Sequence, residues 1–298
     1  MVPSDVSPGP DLLVVGDLMV DVVVHYEGVI AVGSDTPSSV RVRGGGSAAN
    51  TAAWSAHLGL RTRLLAALGE DDRGGSARRD LADVGVELVG PVSAGSATGT
   101  CVVLVGPDGE RTMFPDRGAN ADLRVPDVTA AFDVDPAAVH LSAYLLFDDR
   151  TRDAARHVLS TARNLGVPVS VDAASAAPIT SIGSGNLLAW LEGVDLVFAN
   201  DDEVAALGGE AAILDAVVAL VAKHGPRGST WTDGRRRIDQ GISPTPEGSV
   251  LDTTGAGDAF SAGYLAARHR GGGVERCLAA AASAASTAVR QVGARPIV

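Results

Sequence analysis

The stretch Leu251-Asp252-Thr253-Thr254-Gly255-Ala256-Gly257-Asp258-Ala259-Phe260 decides how this chain is read. It closes a short apolar run and leads into residues 259–267, an Ala-rich segment with good helix propensity. Gly255, Ala256 and Gly257 are small enough to let the backbone approach a ligand closely. Their N–H groups, with that of Asp258, fall at the start of the helix, where unpaired donors and the dipole favour an anion. A carboxylate beside an anion site is badly placed to hold the anion. It is well placed to take the proton from a hydroxyl that attacks a phosphoryl group. The plainer reading is a Gly-rich loop with Asp258 as a helix-cap residue, and a bare G-A-G-D would favour it.

The longer run D-T-T-G-A-G-D-A-F-S-A-G, residues 252–263, is more specific. It resembles the C-terminal signature of the ribokinase-like carbohydrate kinases, also called the phosphofructokinase-B family. The resemblance implies an α/β fold: a ribokinase-like three-layer αβα sandwich with a parallel-rich central sheet and a small β-sheet lid. It implies one kinase domain over residues 1–298, with lid segments at about 17–44 and 97–118. The expected reaction is ATP-dependent phosphorylation of a sugar hydroxyl, with Asp258 as base and Gly255, Ala256 and Gly257 as the anion hole.

Composition agrees with a soluble globular protein. A chain of 298 residues, 46% hydrophobic and 4% aromatic, can bury a sizeable core of Ala, Val and Leu. A net charge of −12 argues against nucleic acid or an anionic membrane as partner. Phosphorylated ligands must then be met by local donors or metal. Cys101 and Cys277 give no disulfide framework, and with no signal-like or membrane-spanning run the expected compartment is the cytoplasm.

Along the chain, residues 12–15 form a continuous apolar run, as in a strand buried on both faces of a parallel sheet. Residues 22–26, 38–43, 100–105 and 111–114 read as strands of a small antiparallel sheet, the last two joined through 106–109 as a hairpin. Beyond about residue 122 strand and helix patterns alternate, which means βα units and a parallel sheet. Residues 211–224 read there as one helix, with Ile213, Val217, Leu220 and Val221 on a stripe. Residues 249–251 read as a short strand and 274–292 as the last helix. Gly69-Glu70-Asp71-Asp72-Arg73-Gly74 resembles the family's G-x-D-x-x-G turn and is expected to be structural.

Further motifs stand in the family's order. Gly45, Gly46 and Asn50 match its sugar-binding G-G-x-x-x-N; Ser47 as a helix N-cap is the plainer reading. Asp21 follows Gly16 at the spacing of G-x-x-x-x-D, whose Asp binds sugar hydroxyls, and a carboxylate among valines needs such a reason. Asn200 and Glu203 match N-x-x-E, which implies Mg²⁺ organised through water; one carboxylate suffices for Mg²⁺. The alternative there is an N-capping cluster. Lys223, Gly225 and Gly228 resemble the turn that lies against ATP, or else a plain helix C-cap. Thr253 joins the ATP set, and backbone oxygens near Asp252 and Thr254 are the candidate seat for K⁺. No Walker loop or dinucleotide fingerprint occurs.

There are departures. Asp172-Ala173-Ala174-Ser175-Ala176 stands where many members show D-x-N-x-R, and Ala281-Ala282 where Asn or His lies near adenine. A ribose- or hexose-type sugar is the expected acceptor. A nucleoside is the alternative, since residues 45–50 and Glu110-Arg111-Thr112-Met113 also look like nucleoside kinases. Phosphorylated sugars rank lower, because the lid stretches show no evident second phosphate-binding cluster. A non-catalytic binding protein on the same fold is a further alternative, and a homodimer through the lid is a possible assembly.

Overall fold

The computed structural model describes residues 9–107, 110–244 and 250–297. The chain opens with β1 (Leu12–Val15), leaves the body through β2 (Met19–Tyr26) and returns through β3 (Ser38–Gly45) into α1 (Ser47–His57). β4 (Thr62–Leu65), β5 (Leu68–Gly69), α2 (Asp72–Asp83), β6 (Val86–Val89) and β7 (Val92–Ser93) follow. A second excursion uses β8 (Thr100–Val105) and β9 (Arg111–Asp116). The alternating part is α3 (Val125–Ala131), β10 (Val139–Ser142), α4 (Tyr144–Phe147), α5 (Arg152–Leu165), β11 (Val169–Asp172), α6 (Ala176–Ile182) and α7 (Ser184–Trp190). It continues with β12 (Leu196–Asn200), α8 (Asp201–Ala206), α9 (Glu210–Ala216) and β13 (Leu220–Lys223). β14 (Ser229–Thr232), β15 (Arg237–Gln240), α10 (Ala256–His269) and α11 (Val274–Ala288) complete the fold.

Nine strands form the main sheet in the order β15-β14-β13-β12-β11-β10-β1-β4-β6, parallel except for the antiparallel edge made by β14 and β15. The continuous run of β1 explains its central place. Leu13 and Val15 enter the core on one face, with Leu141 and Val158; Leu12 and Val14 enter the other, with Ala52 and Leu64. From β1 the chain first builds outward to β4 and β6, then across to β10 and beyond. Strand order reverses beside β1, and the crevice at such a switch point is where open α/β sheets bind ligands. Among the described residues no helix is long and apolar enough to cross a membrane.

Four strands form a second sheet in the order β3-β2-β8-β9. The expected all-antiparallel sheet is corrected at one pair: β2 and β8 are parallel. Both strands leave the body at one hinge, where the Val20 amide donates to the Gly99 carbonyl at 2.8 Å, so they run outward together. The Asn120 side chain pins that hinge, accepting from the Leu18 amide at 2.9 Å and donating to the Leu18 carbonyl at 2.8 Å. Asp71 caps α2 through the Gly74 amide and accepts from Thr98, a structural role as expected.

The helix read over 211–224 is not one element. α9 stops at Ala216 and β13 begins at Leu220. The run Val217-Val218-Ala219-Leu220-Val221-Ala222 suits a strand buried on both faces as well as a helical stripe, and pairing with β12 and β14 decides for the strand. Lys223 therefore ends a strand and is no helix C-cap residue. Ser249 lies outside the described residues; Val250 and Leu251 join no ladder, and the Leu251 amide donates to the Val289 carbonyl. α11 ends at Ala288, short of residue 292.

Candidate active site

Gly255 caps α10 with φ at +74°, and a Cβ there would lie 2.5 Å from the Ala294 carbonyl oxygen. Backbone conformation and crowding both demand glycine. Asp258 sits in the first turn of this 14-residue helix, which no side chain caps; the Ala256 amide donates to the Thr253 carbonyl at 3.3 Å. Ser47 Oγ donates to its Oδ1 at 2.9 Å, and Asn50 Nδ2 donates to its Oδ2 at 2.9 Å. Both partners come from α1, whose N-cap is Gly46 at φ +89°. Ser47 is the first helical residue and not the cap; its hydroxyl serves Asp258. Burial, reinforced by the Asp172 carboxylate, pushes Asp258 up to about 7, against the pull of Asn50, Ser47 and Lys223. A carboxylate poised there titrates where a general base is most useful.

Beneath it lies a buried ion pair. Lys223 Nζ, at the end of β13, donates to Asp172 Oδ2, at the end of β11, at 2.7 Å. Burial opposes both charges, yet each stabilises the other: Lys223 is held above its ordinary value and Asp172 below. The same Nζ lies 3.5 Å from where a Cβ would stand on Gly257, so the ammonium borders the glycine turn. Ala174, two residues after Asp172, has φ at +71°, an αL conformation that costs a non-glycine residue about 1–2 kcal/mol.

On the acceptor side, Asp21 of β2 packs against Gly45 of β3, where a Cβ would meet its carboxylate at 2.2 Å. Burial pushes Asp21 up to about 6, with Arg295 opposing. Arg295 was not singled out from the sequence. Its Nη2 donates to the Gly45 carbonyl at 2.8 Å and its Nε to Asn50 Oδ1 at 3.3 Å, while Nη1 is buried with no partner. Burial pulls this guanidinium down to about 10. Asp21, Gly45, Gly46, Asn50, Asp258 and Arg295 thus form one connected cluster.

The nucleotide-side candidates are more loosely joined. Asn200 stands opposite Lys223 in the β12–β13 register. Asn200 and Glu203 make a reciprocal capping box: Glu203 Oε2 accepts from the Asn200 amide at 2.8 Å, Oε1 from Asn200 Nδ2 at 2.7 Å, and Asn200 Oδ1 from the Glu203 amide at 2.9 Å. Each Glu203 oxygen retains a free lone pair, which fits a water-bridged cation and leaves little for direct ligation. Among the described residues no set of three His, Cys, Asp or Glu side chains could hold a metal. Gly225 and Gly228, at φ +57° and +100°, flank a short 3₁₀ turn after β13.

The second sheet covers the end of the site that holds Asp21 and Gly45. Arg111 of β9 donates to the hydroxyls of Thr253 and Thr254 and faces Asp252 at 3.5 Å. A cleft of about 530 Å³ lies between sheet and body, lined by Asp21, Val23, His25, Arg41, Arg43, Val103, Val105 and Arg111 from the sheet and by residues 250–254 and 292–294 from the body. β-sheet periodicity puts Arg41 and Arg43 on the same inner face.

The family model described as "pfkB family carbohydrate kinase" matches residues 10–298. The chain is 33% identical over 267 residues to an ATP-dependent ribose-1-phosphate kinase of Halopiger xanaduensis, covering 86% of this chain and 84% of that protein. Among solved structures it resembles a probable sugar kinase from Rhizobium etli CFN 42, with TM-score 0.87, 26% identity and coverage of 98% and 96%. It also resembles the adenosine kinase of Sinorhizobium meliloti, with TM-score 0.86, 26% identity and coverage of 97% of each chain. The chain is an ATP-dependent kinase on a ribokinase fold, and it belongs to the pfkB family of carbohydrate kinases.

Proposed function

We propose that the chain transfers the γ-phosphoryl group of ATP to a hydroxyl of a small sugar, with Asp258 as general base. The observation that carries this is a buried carboxylate, raised to about 7 and oriented by Ser47 and Asn50, in the first turn of a helix that no side chain caps. Asp258 takes the proton as the sugar oxygen bonds to Pγ, the bond from Pγ to the bridging oxygen breaks, and ADP leaves with that electron pair. The amides of Gly255, Ala256, Gly257 and Asp258 meet the charge on the migrating group. Lys223, bordering Gly257, adds a positive charge beside it.

Asp21, Gly45, Gly46 and Asn50 orient the acceptor. Asn200, Lys223, Gly225, Gly228 and Thr253 seat the nucleotide. Glu203 and Asn200 would hold Mg²⁺ through water, and the ion would supply positive charge beside the nucleotide phosphates. Backbone oxygens near Asp252 and Thr254 would hold K⁺ beside the anion hole. The second sheet serves as a lid that excludes water, a competing acceptor. Its outer face carries the cross-strand row Val42-Val22-Val102-Phe114, with Val42, Val102 and Phe114 exposed, and this supports a homodimer closed through the lid. Two free, buried cysteines fit a reducing cytoplasm.

A second reading, a nucleoside acceptor, is favoured by Val23, Val103 and Val105, which give the cleft an apolar strip suited to a base. ADP release over a panel of sugars and nucleosides with Mg-ATP tests both. Turnover of sugars supports the first reading and turnover of nucleosides alone supports the second. Undiminished turnover in Asp258→Asn would remove the base from either.

A further inference from the structure

We infer that the acceptor already carries a phosphate group, and that Arg41 and Arg43 on the inner face of the lid hold it. This rests on the kinase reading and narrows its substrate to a phosphorylated sugar.

In the β2–β3 register Arg43 stands opposite Asp21, Arg41 opposite Val23 and Ser39 opposite His25, all on the cleft side. Asp21 and Gly45 mark the hydroxyl-binding end. At about 3.3 Å per residue, Arg43 lies about 7 Å and Arg41 about 13 Å along the strand from Gly45, a span that suits a sugar with an anionic group at its far end. Arg43 reaches across the cleft, its Cδ 3.8 Å from where a Cβ would stand on Gly293.

Neither arginine has a partner among the described residues. Arg43 faces Asp21 across the ladder without an ion pair forming, whereas Arg111, on the same inner face, is tied to Asp252, Thr253 and Thr254. In a chain of net charge −12, two guanidinium groups unpaired among the described residues and His25 facing one cleft are a local exception. Deeper in, Arg295 Nη1 is buried and unpartnered against Gly44. An uncharged sugar has no use for such a field. Guanidinium forks match phosphate oxygens two at a time, and the lid would carry them onto the ligand as it closes.

The test compares a pentose with its monophosphates as acceptors, in ADP release and in nucleotide-free calorimetry, for wild type, Arg41→Ala and Arg43→Ala. The expected result is a kcat/KM at least about 100-fold higher for a pentose monophosphate than for the free pentose. Each variant should cut that preference by about 10–100-fold through the acceptor KM, with the KM for ATP unchanged. Arg43→Lys should recover part of the loss. A free sugar or nucleoside preferred over every monophosphate overturns the inference and leaves the kinase reading intact. So does a rise in the KM for ATP alone, which would assign the arginines to the nucleotide. Inorganic phosphate alone binding as tightly as the sugar monophosphate also overturns it, since the site would then read a free anion. Should no acceptor be turned over, arginine-dependent binding of the sugar monophosphate still supports the phosphate site while the kinase reading falls; equal binding of free and phosphorylated pentose overturns it.

Discussion

The floor of the cleft and its roof are built on opposite principles. On the floor nearly every polar group is already engaged: Asp258 by Ser47 and Asn50, Asp172 by Lys223, Glu203 by Asn200. On the roof Arg41 and Arg43 are exposed and unpaired. A floor wired in advance holds reacting groups in place without the ligand. A roof of free cations gains its partners only from what it closes over. On the proposed mechanism chemistry belongs to the first region and choice of acceptor to the second, so substitutions in the two should separate turnover from selectivity.

The largest effect belongs to the floor. Asp258→Asn should lower kcat by about 10²–10⁴-fold in steady-state ADP release, with acceptor affinity by calorimetry within a few-fold of wild type. An equal collapse of affinity would erase the division between floor and roof. Next is the buried pair. Lys223→Ala leaves Asp172 without its cation and should destabilise the fold by about 3–5 kcal/mol in urea unfolding. Arg43 makes no ion pair among the described residues, and Arg43→Ala should shift the urea midpoint little. Ser47→Ala should reduce kcat/KM at pH 7 by about 10-fold, through loss of a hydrogen bond to a charged group.

Asp258 should also trade stability for function. Its carboxyl is raised from an unfolded value near 4 to about 7, so its stabilising contribution is complete below pH 4 and is lost as pH rises through 7. The Tm of Asp258→Asn should therefore exceed that of wild type by an amount that widens from pH 4 to pH 8, reaching about 2–5 °C. The smallest effect is conformational. Ala174→Gly relieves an αL alanine and should add about 0.5–1 kcal/mol by urea unfolding, without altering selectivity.

How much of this could be read from the residues follows the range of each interaction. The central place of β1 and the helix start at Gly255 were legible, because an unbroken apolar run and a glycine turn before an Ala-rich segment are local signals. β13 was not, since six apolar residues in a row satisfy a helical stripe and a buried strand alike, and only pairing decides. Asp258, Asn50, Asp21 and Gly45 were singled out by resemblance to the family's motifs; the structure bonds Asn50 to Asp258 and packs Asp21 against Gly45. Arg295 was missed because it meets Asn50 from 245 positions away, and Lys223 was found without its partner Asp172, 51 positions distant. Period two along residues 39–43 was the available sign that Arg41 and Arg43 share a face. What it could not show is that Arg111 anchors the sheet to the 252–254 loop and so sets them along the cleft.

The most direct test is the pH dependence of kcat/KM for the acceptor at saturating Mg-ATP, measured for wild type and Asn50→Ala. The Asp258 assignment predicts that wild-type activity climbs through a single ionisation near pH 7 and levels above it. It also predicts that removing the Asn50 donor moves the limb to higher pH. A profile flat from pH 5.5 to 8.5, or a limb that Asn50→Ala leaves in place, would contradict it.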